Sequence, residues 1–267
     1  MFSKQLLLGV VVVKGKQFVY TDELNDDFAG IKRSPYTIGS KYKYKRTSIV
    51  WKVISFIIYR LIMTPFTYLY IKIKFHHKVV GGKLLRANKK GCFLYGNHTL
   101  MMGDAGIPNV INCHKKTYTI VHGNNLSIPI VRTVLKMCGA IPLPNTVGAS
   151  KNFLAVIKNY IQDNNCIMIY PEAHIWPYYT GIRGFRSGSF RYPIEFNAPT
   201  YSITNTFHKR RWSSMPKVIT YIDGPFWADG NLSKKEQVED LRNKVYLKMK
   251  ERAELNTYSV NVYIKGD

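Results

Sequence analysis

From Phe28 to Gly103 the chain has no Asp or Glu and fifteen Lys/Arg, yet the middle of that stretch, Ile49 to Ile73, is apolar and aromatic. A solvated helix has no need of such an apolar run, and a core helix has no need of uniform positive charge around it. A surface that is anionic outside and apolar beneath suits both features, which points to a membrane. The whole chain carries 39 Lys+Arg against 16 Asp+Glu, a formal net charge of +23. Nucleic acid is the other anionic partner that charge alone would allow, but it gives the apolar segment no purpose, and no nucleic-acid partner is expected.

The apolar segment is long enough to span a bilayer. Arg60 near its middle opposes spanning by about 2.5 to 3.5 kcal/mol, and Pro65 is expected to break or kink the helix just beyond. An in-plane amphipathic element is the preferred reading, with Lys52, Arg60 and Lys72 reaching headgroups and Trp51, Phe56, Tyr59 and Phe66 dipping below. An ordinary core helix and a spanning helix are the alternatives. Near the start, Leu6 to Val13 follows Lys4 and runs into Lys14-Gly15-Lys16 without an A-x-A-like site, so it reads as a strand or buried run rather than a signal peptide. Cys92, Cys113, Cys138 and Cys166 stand far apart with no C-x-x-C and read as reduced thiols of a cytosol-facing protein.

Beyond Ile73, short apolar runs alternate with helical patterns. Strands are expected at Lys78 to Val80, Cys92 to Tyr95, Tyr118 to Val121, Ile167 to Tyr170, Thr200 to Thr204, Val218 to Ile222 and Val260 to Ile264. Helices are expected at Leu126 to Cys138, at Ser150 to Gln162 with Ser150 as N-cap, and at Ser233 to Leu255 with a Ser233/Glu236 capping box. Such alternation favours an α/β fold: one domain with a mostly parallel central sheet flanked by helices, preceded by an interfacial apolar basic segment. The corresponding divisions are 1–48, of unassigned role, 49–75 at the membrane interface, and 76–267 as the α/β domain.

Asp104 and Glu172 are two of only four carboxylates between Phe28 and Ile222. His98 follows Leu94-Tyr95-Gly96-Asn97, where a strand should reach its carboxyl end, the usual ligand-binding end of such sheets. A histidine there can take a proton from a hydroxyl if a carboxylate fixes its tautomer. Asp104 is the acid near enough in sequence, but six helical steps rotate by about 240°, so the chain must turn back, with Gly103 as the expected turning point. A histidine bonded to backbone beside a capping aspartate is the bland alternative. Glu172 ends another strand, and the loop from Trp176 to Tyr192 sets Gly181, Gly184 and Gly188 among Arg183, Arg186 and Arg191. Those arginines could fork onto a phosphate, or simply be solvated. A metal site from His98, Asp104, Glu172 and His174 lacks any ligand spacing such as H-E-x-x-H, and no metal is expected. His76 and His77 receive no role.

In this order the patches resemble the glycerolipid acyltransferases, the PlsC-like family of lysophosphatidic acid and glycerol-3-phosphate acyltransferases with its Asn-His-x4-Asp motif. Gly96 to Asp104 resembles the first block, Cys138 to Pro144 the second, Ile169-Tyr-Pro-Glu172 the third and Asn197 to Ile203 the fourth, with Phe185-Arg-Ser-Gly188 between the last two. Five residues rather than four separate His98 from Asp104. Ala173-His174-Ile175 stands where Gly-Thr-Arg is usual, and Pro142 and Pro144 stand in a block that usually carries an arginine.

The resemblance implies transfer of a fatty acyl group from acyl-CoA or acyl carrier protein, as co-substrate and with no other cofactor, to a lysophospholipid such as lysophosphatidic acid. His98 and Asp104 would be catalytic. Asn97 and Glu172 would serve the acceptor site, and Arg183 and Arg186 would supply the missing phosphate-binding cation. The partners would be an anionic phospholipid membrane, the lysolipid acceptor and the acyl donor, at the cytoplasmic face of the cell membrane with peripheral or monotopic attachment. A non-catalytic lipid-binding protein of the same fold is the alternative.

Overall fold

The computed structural model describes residues 11–12, 15–30, 34–112 and 114–266. Most of the Leu6 to Val13 run lies outside the described residues, as do Lys32 and Cys113. The strands are β1 (Val11–Val12), β2 (Gln17–Tyr20), β3 (Lys78–Val80), β4 (Cys92–Gly96), β5 (Thr117–Val121), β6 (Ala140–Pro142), β7 (Cys166–Ile169), β8 (Thr200–Arg210), β9 (Ser213–Phe226), β10 (Tyr258–Ser259) and β11 (Val262–Lys265). The helices are α1 (Ile49–Phe56), α2 (Thr64–Phe75), α3 (Gly82–Ala87), α4 (Gly103–Ile111), α5 (Pro129–Met137), α6 (Val147–Gln162), α7 (Arg191–Glu195) and α8 (Lys234–Ala253).

Seven strands form the central sheet in the order β3-β9-β8-β4-β7-β5-β6. All neighbours run parallel except β8 and β9, so the expected mostly parallel α/β sheet is what the chain forms. The innermost runs, Cys92-Phe-Leu-Tyr-Gly96 and Cys166-Ile-Met-Ile169, are buried at every position because helices cover both faces. On one face, Leu94, Met168, Ile203 and Phe207 meet Ile71 and Phe75 of α2 and Ile107 and Ile111 of α4. On the other, Phe93, Tyr95, Ile167 and Ile169 meet Phe153 and Ile157 of α6 and Leu241, Val245 and Met249 of α8.

Side-chain caps mark the starts of α6 and α8. Ser233 and Glu236 form the reciprocal capping box expected for α8. At α6 the cap is Thr146, whose side chain accepts from Ala149 N, and the helix begins three residues earlier than the Ser150 expectation. Register brings Cys92 opposite Cys166 with the two sulfurs 2.9 Å apart, although their sequence positions are remote. The strands β8 and β9 form one long antiparallel hairpin, so Arg211 and Trp212 of the basic His208 to Trp212 cluster make its turn.

Residues outside the acid-poor tract's helix are tied to the domain. Strand β2 pairs with β11, Trp176 Nε1 donates to the carbonyl of Asp26 at 2.8 Å, and Ile38 is fully buried beside Leu126 and Ala149.

From Ile49 to Phe75 the chain is helical without a break, 27 residues with mean hydropathy 1.6 over its most apolar stretch. Pro65 does not interrupt it. A π-helical segment, Ile57–Met63, leads into the proline: Thr64 N–H reaches back five residues to the carbonyl of Tyr59, which also accepts from Thr64 Oγ1 at 2.7 Å. Ser55, Tyr59, Ile71 and Phe75 form a stripe buried in the protein. Tyr59 is therefore a core residue rather than one dipping into lipid. Arg60 also turns inward, donating to the carbonyl of Lys115 at 2.6 Å, whereas Lys72 stays exposed while donating to the carbonyl of His77 at 2.9 Å. The opposite side exposes Ile49, Val50, Val53, Ile54, Phe56, Leu61, Ile62, Phe66, Leu69 and Ile73.

Helices α2 and α4 touch through Gly106, where a Cβ would stand 2.3 Å from Thr67 Cγ2. Gly106→Val is expected to wedge them apart and lower unfolding free energy by about 1 to 3 kcal/mol. Urea denaturation followed by far-ultraviolet circular dichroism reads this directly; an unchanged midpoint would show that the contact is not as close as described.

Candidate active site

Strand β4 ends between β7 and β8 at Gly96, where a Cβ would meet Met168 Cε at 2.4 Å. A larger residue there would have to displace the Met168 methyl, and the chain passes between its neighbours to deliver Asn97 and His98 at the carboxyl end of the sheet. Asn97 is fixed by a reciprocal pair with β8: its Nδ2 donates to Asn205 O at 3.0 Å, and its Oδ1 accepts from Asn205 N at 2.8 Å. Both its polar ends are thereby engaged in positioning the strand end.

After His98 the chain turns through Thr99 to Met102 and enters α4 at Gly103. Asp104 falls in the first helical turn, its N–H donating to Leu100 O at 2.7 Å. Its carboxylate reaches back, accepting from Leu100 N at 2.8 Å and meeting His98 Nδ1 at 2.9 Å, both on Oδ2. The return is made by the four-residue turn before the helix, which absorbs the extra residue; Gly103 is itself helical, with Leu100 Cβ only 2.9 Å from where a Cβ would be. Asp104 is 1% exposed while the His98 side chain keeps 24%, so the imidazole is the reachable partner. Burial pushes the Asp104 carboxyl above its ordinary range, and the His98 bond partly offsets this. Tyr170 stacks on the His98 ring at 4.5 Å and donates its hydroxyl to Asp104 O at 2.6 Å.

Behind Asp104 runs a buried chain of donors. Asn205 Nδ2 donates to Asp104 Oδ1 at 3.3 Å, Thr220 Oγ1 donates to Asn205 Oδ1 at 2.6 Å, and His77 Nε2 lies 2.7 Å from Thr220 Oγ1. Thr220 has one proton and gives it to Asn205, so His77 Nε2 is the donor and its ring is held in one tautomer. Burial, aided by Lys72, lowers His77 to about 4, which keeps it neutral at ordinary pH. None of these three positions was singled out by local pattern. A signal existed: Asn205 interrupts the inward series Tyr201, Ile203, Phe207, and Thr220 interrupts Val218, Ile222.

Glu172 is 2% exposed and faces the protein. It accepts from His98 N at 3.0 Å and Arg183 N at 3.1 Å, with the Arg183 guanidinium 3.4 Å away. Burial raises its carboxyl, and Arg183 opposes the rise. Arg183 has no exposed surface; its guanidinium bonds the carbonyls of His174 and Glu23 and lies over Trp176 at 4.8 Å. It is thus a brace for Glu172 and the N-terminal segment rather than a free phosphate-binding cation. Glu172 in turn holds the backbone of His98 instead of an acceptor. Arg186 stays at the surface. The His174 imidazole turns away from this cluster, with Nδ1 3.9 Å from Asp27, and among the described residues no group of three His, Cys, Asp or Glu is arranged to hold a metal ion.

The arrangement gives a carboxylate-oriented imidazole whose second nitrogen is free to accept a proton, on a backbone held by Asn97 and Glu172. Residues 76–205 match the protein-family model described as Acyltransferase. Among solved structures, the crystal structure of the 1-acyl-sn-glycerophosphate (LPA) acyltransferase, PlsC, from Thermotoga maritima is similar, with a TM-score of 0.51 and 18% identity over 76% of this chain and 79% of that chain. No curated protein gives a significant match.

Two outcomes test these placements. Arg183→Met leaves Glu172 charged and unpaired in the interior and is expected to cost about 3 to 5 kcal/mol in urea unfolding; an unaltered midpoint would return Arg183 to the substrate side. His77 has a lower pKa folded than its ordinary 6.5, so the unfolded chain binds the extra proton between about 6.5 and 4, and stability falls as pH drops through that window. In His77→Gln, which keeps a donor but does not titrate, the loss of unfolding free energy between pH 7.5 and pH 4 should shrink by up to about 3 kcal/mol relative to the parent.

Proposed function

We propose, on the premise that residues 76–205 form a domain of the acyltransferase family, that the protein transfers a fatty acyl group from a thioester donor to a hydroxyl of a lysophospholipid. The donor is acyl-CoA or acyl carrier protein and the acceptor is of the lysophosphatidic acid type. The observation that carries the reading is the 2.9 Å contact between His98 Nδ1 and the buried Asp104 carboxylate. With Nδ1–H given to Asp104, the Nε2 lone pair takes the proton of the acceptor hydroxyl as its oxygen attacks the thioester carbonyl. The C–S bond then breaks, the thiolate leaves, and the imidazolium returns the proton to it. Asp104 stabilises that imidazolium, and Tyr170 and the Asn205–Thr220–His77 chain keep both groups in register.

Arg186 remains the candidate for the acceptor phosphate, being exposed and in the loop after Glu172. The exposed apolar side of the Ile49 to Phe75 helix would lie in the cytoplasmic leaflet of an anionic membrane, where a lysolipid is found and a soluble donor can reach it. The second reading, a lipid-binding protein without turnover, draws on Ala173-His174-Ile175 in the third block and on the engagement of Arg183 in the interior.

The decisive assay offers labelled acyl-CoA with lysophosphatidate to the full chain on vesicles. Product is expected, with His98→Ala and Asp104→Asn each lowering the rate about 10²- to 10⁴-fold while vesicle binding is kept. Vesicle binding with no product from any acceptor would favour the second reading, and full turnover by folded His98→Ala would falsify the mechanism.

A further inference from the structure

A cavity of about 510 Å³ lies between α1, the π-helical segment, residues 42–46, the edge strand β6 and the end of α6. It is not part of the His98 site. Strand β6 is three strands from β4, about 14 Å at ordinary interstrand spacing. Seven Lys/Arg side chains line it against one carboxylate, Asp163, which is paired with Lys45 at 3.6 Å.

These cations have rings rather than anions for company. Arg46 lies over Trp51 at 4.5 Å, Lys136 over Tyr42 at 4.6 Å, and Lys116 over Tyr59 and Tyr118 at 5.1 Å and 5.0 Å. A ring face is attractive to a cation but neutralises nothing. Burial and the neighbouring arginines, Arg60 beside Lys116 and Arg46 beside Lys136, hold both ammonium groups below the ordinary lysine range. Two polar groups on the wall also lack partners: the Ser55 hydroxyl, on a residue only 5% exposed, and Nη1 of Arg60. A multiply charged oxyanion would supply acceptors for both and relieve the crowding.

The surroundings indicate what carries that oxyanion. Ser55, Tyr59 and Arg60 come from the inward side of a helix whose outward side, through Val50, Val53, Ile54 and Phe56, is bare and apolar. If that outward side lies in a bilayer, the cavity opens at headgroup depth. The π-helical segment, a deviation often found at functional sites, sets Arg60 at this wall.

We infer that this cavity is a second lipid site, which takes the phosphate of an anionic phospholipid headgroup on Lys116, Lys136, Arg60 and Ser55 and so holds the helix against the membrane independently of the catalytic dyad. The inference uses the interfacial seat proposed above but not acyl transfer, so a failed turnover assay leaves it standing.

The test measures sedimentation of the full chain with phosphatidylcholine vesicles with and without phosphatidate. Lys116→Gln/Lys136→Gln is compared with Lys234→Gln/Lys235→Gln, which removes the same charge at the exposed start of α8. The cavity variant should lose affinity for phosphatidate vesicles at least about tenfold more than the control, with phosphatidylcholine binding unchanged. Equal losses in both would overturn the site. Lys52→Gln, at an exposed helix position on the cavity rim, guards against misfolding of the double variant and should show a smaller loss of the same kind. Inorganic phosphate and water-soluble dihexanoyl phosphatidate, titrated against tryptophan fluorescence, separate the sources. Saturation by the short lipid alone supports a headgroup, whereas equally tight saturation by inorganic phosphate would assign the cavity to a soluble anion and overturn the lipid reading.

Discussion

A carboxylate buried to 1% exposure is tolerable only if every lone pair that faces the protein finds a donor, and Asp104 obtains its donors from three directions. Leu100 N comes from the turn before α4, His98 from the end of β4, Asn205 from β8, and through it Thr220 from β9 and His77 from the start of β3. Much of the sheet's carboxyl end is therefore organised around one negative charge. The same requirement keeps His98 in a single tautomer, which is what an imidazole needs in order to act as a base.

Glu172 repeats the arrangement one strand away. It too is buried, and it too is satisfied by backbone N–H groups and one cation, Arg183. Both acids hold His98, Asp104 by the ring and Glu172 by the backbone nitrogen. A chain with 39 basic and 16 acidic residues has thus placed two scarce carboxylates where desolvation is costliest, each with its countercharge or donors built in. Elsewhere the excess cations rest on tyrosine and tryptophan rings, which lets positive charge gather at the wall beside α1 with little carboxylate to neutralise it.

The central strands were legible because continuous apolar runs bounded by turns leave few other options. Cys92 to Tyr95 and Ile167 to Tyr170 were located to within a residue, as was the capped start of α8. Strand β6 and the full length of the β8–β9 hairpin were not legible, since Ala140-Ile-Pro142 is too short to show a period and His208-Lys-Arg210 reads as solvated charge. The π-helical accommodation of Pro65 was likewise hidden. It depends on Tyr59 being anchored by Asn109 at 2.9 Å and by Thr117 N at 3.0 Å, contacts made across the fold.

Sequence alone determined the mostly parallel α/β sheet, the strand ends that carry Asn97-His98 and Pro171-Glu172, and the presence of an apolar basic segment, because each is written in the periodicity and composition of a contiguous segment. Tertiary structure decided which charges face inward. Arg60 and Arg183, alike in sequence to any solvated cation, are bound to carbonyls or a carboxylate within the protein, and His77 joins His98 through residues 143 and 15 positions apart. Such partnerships depend on distance in space, which local pattern does not encode.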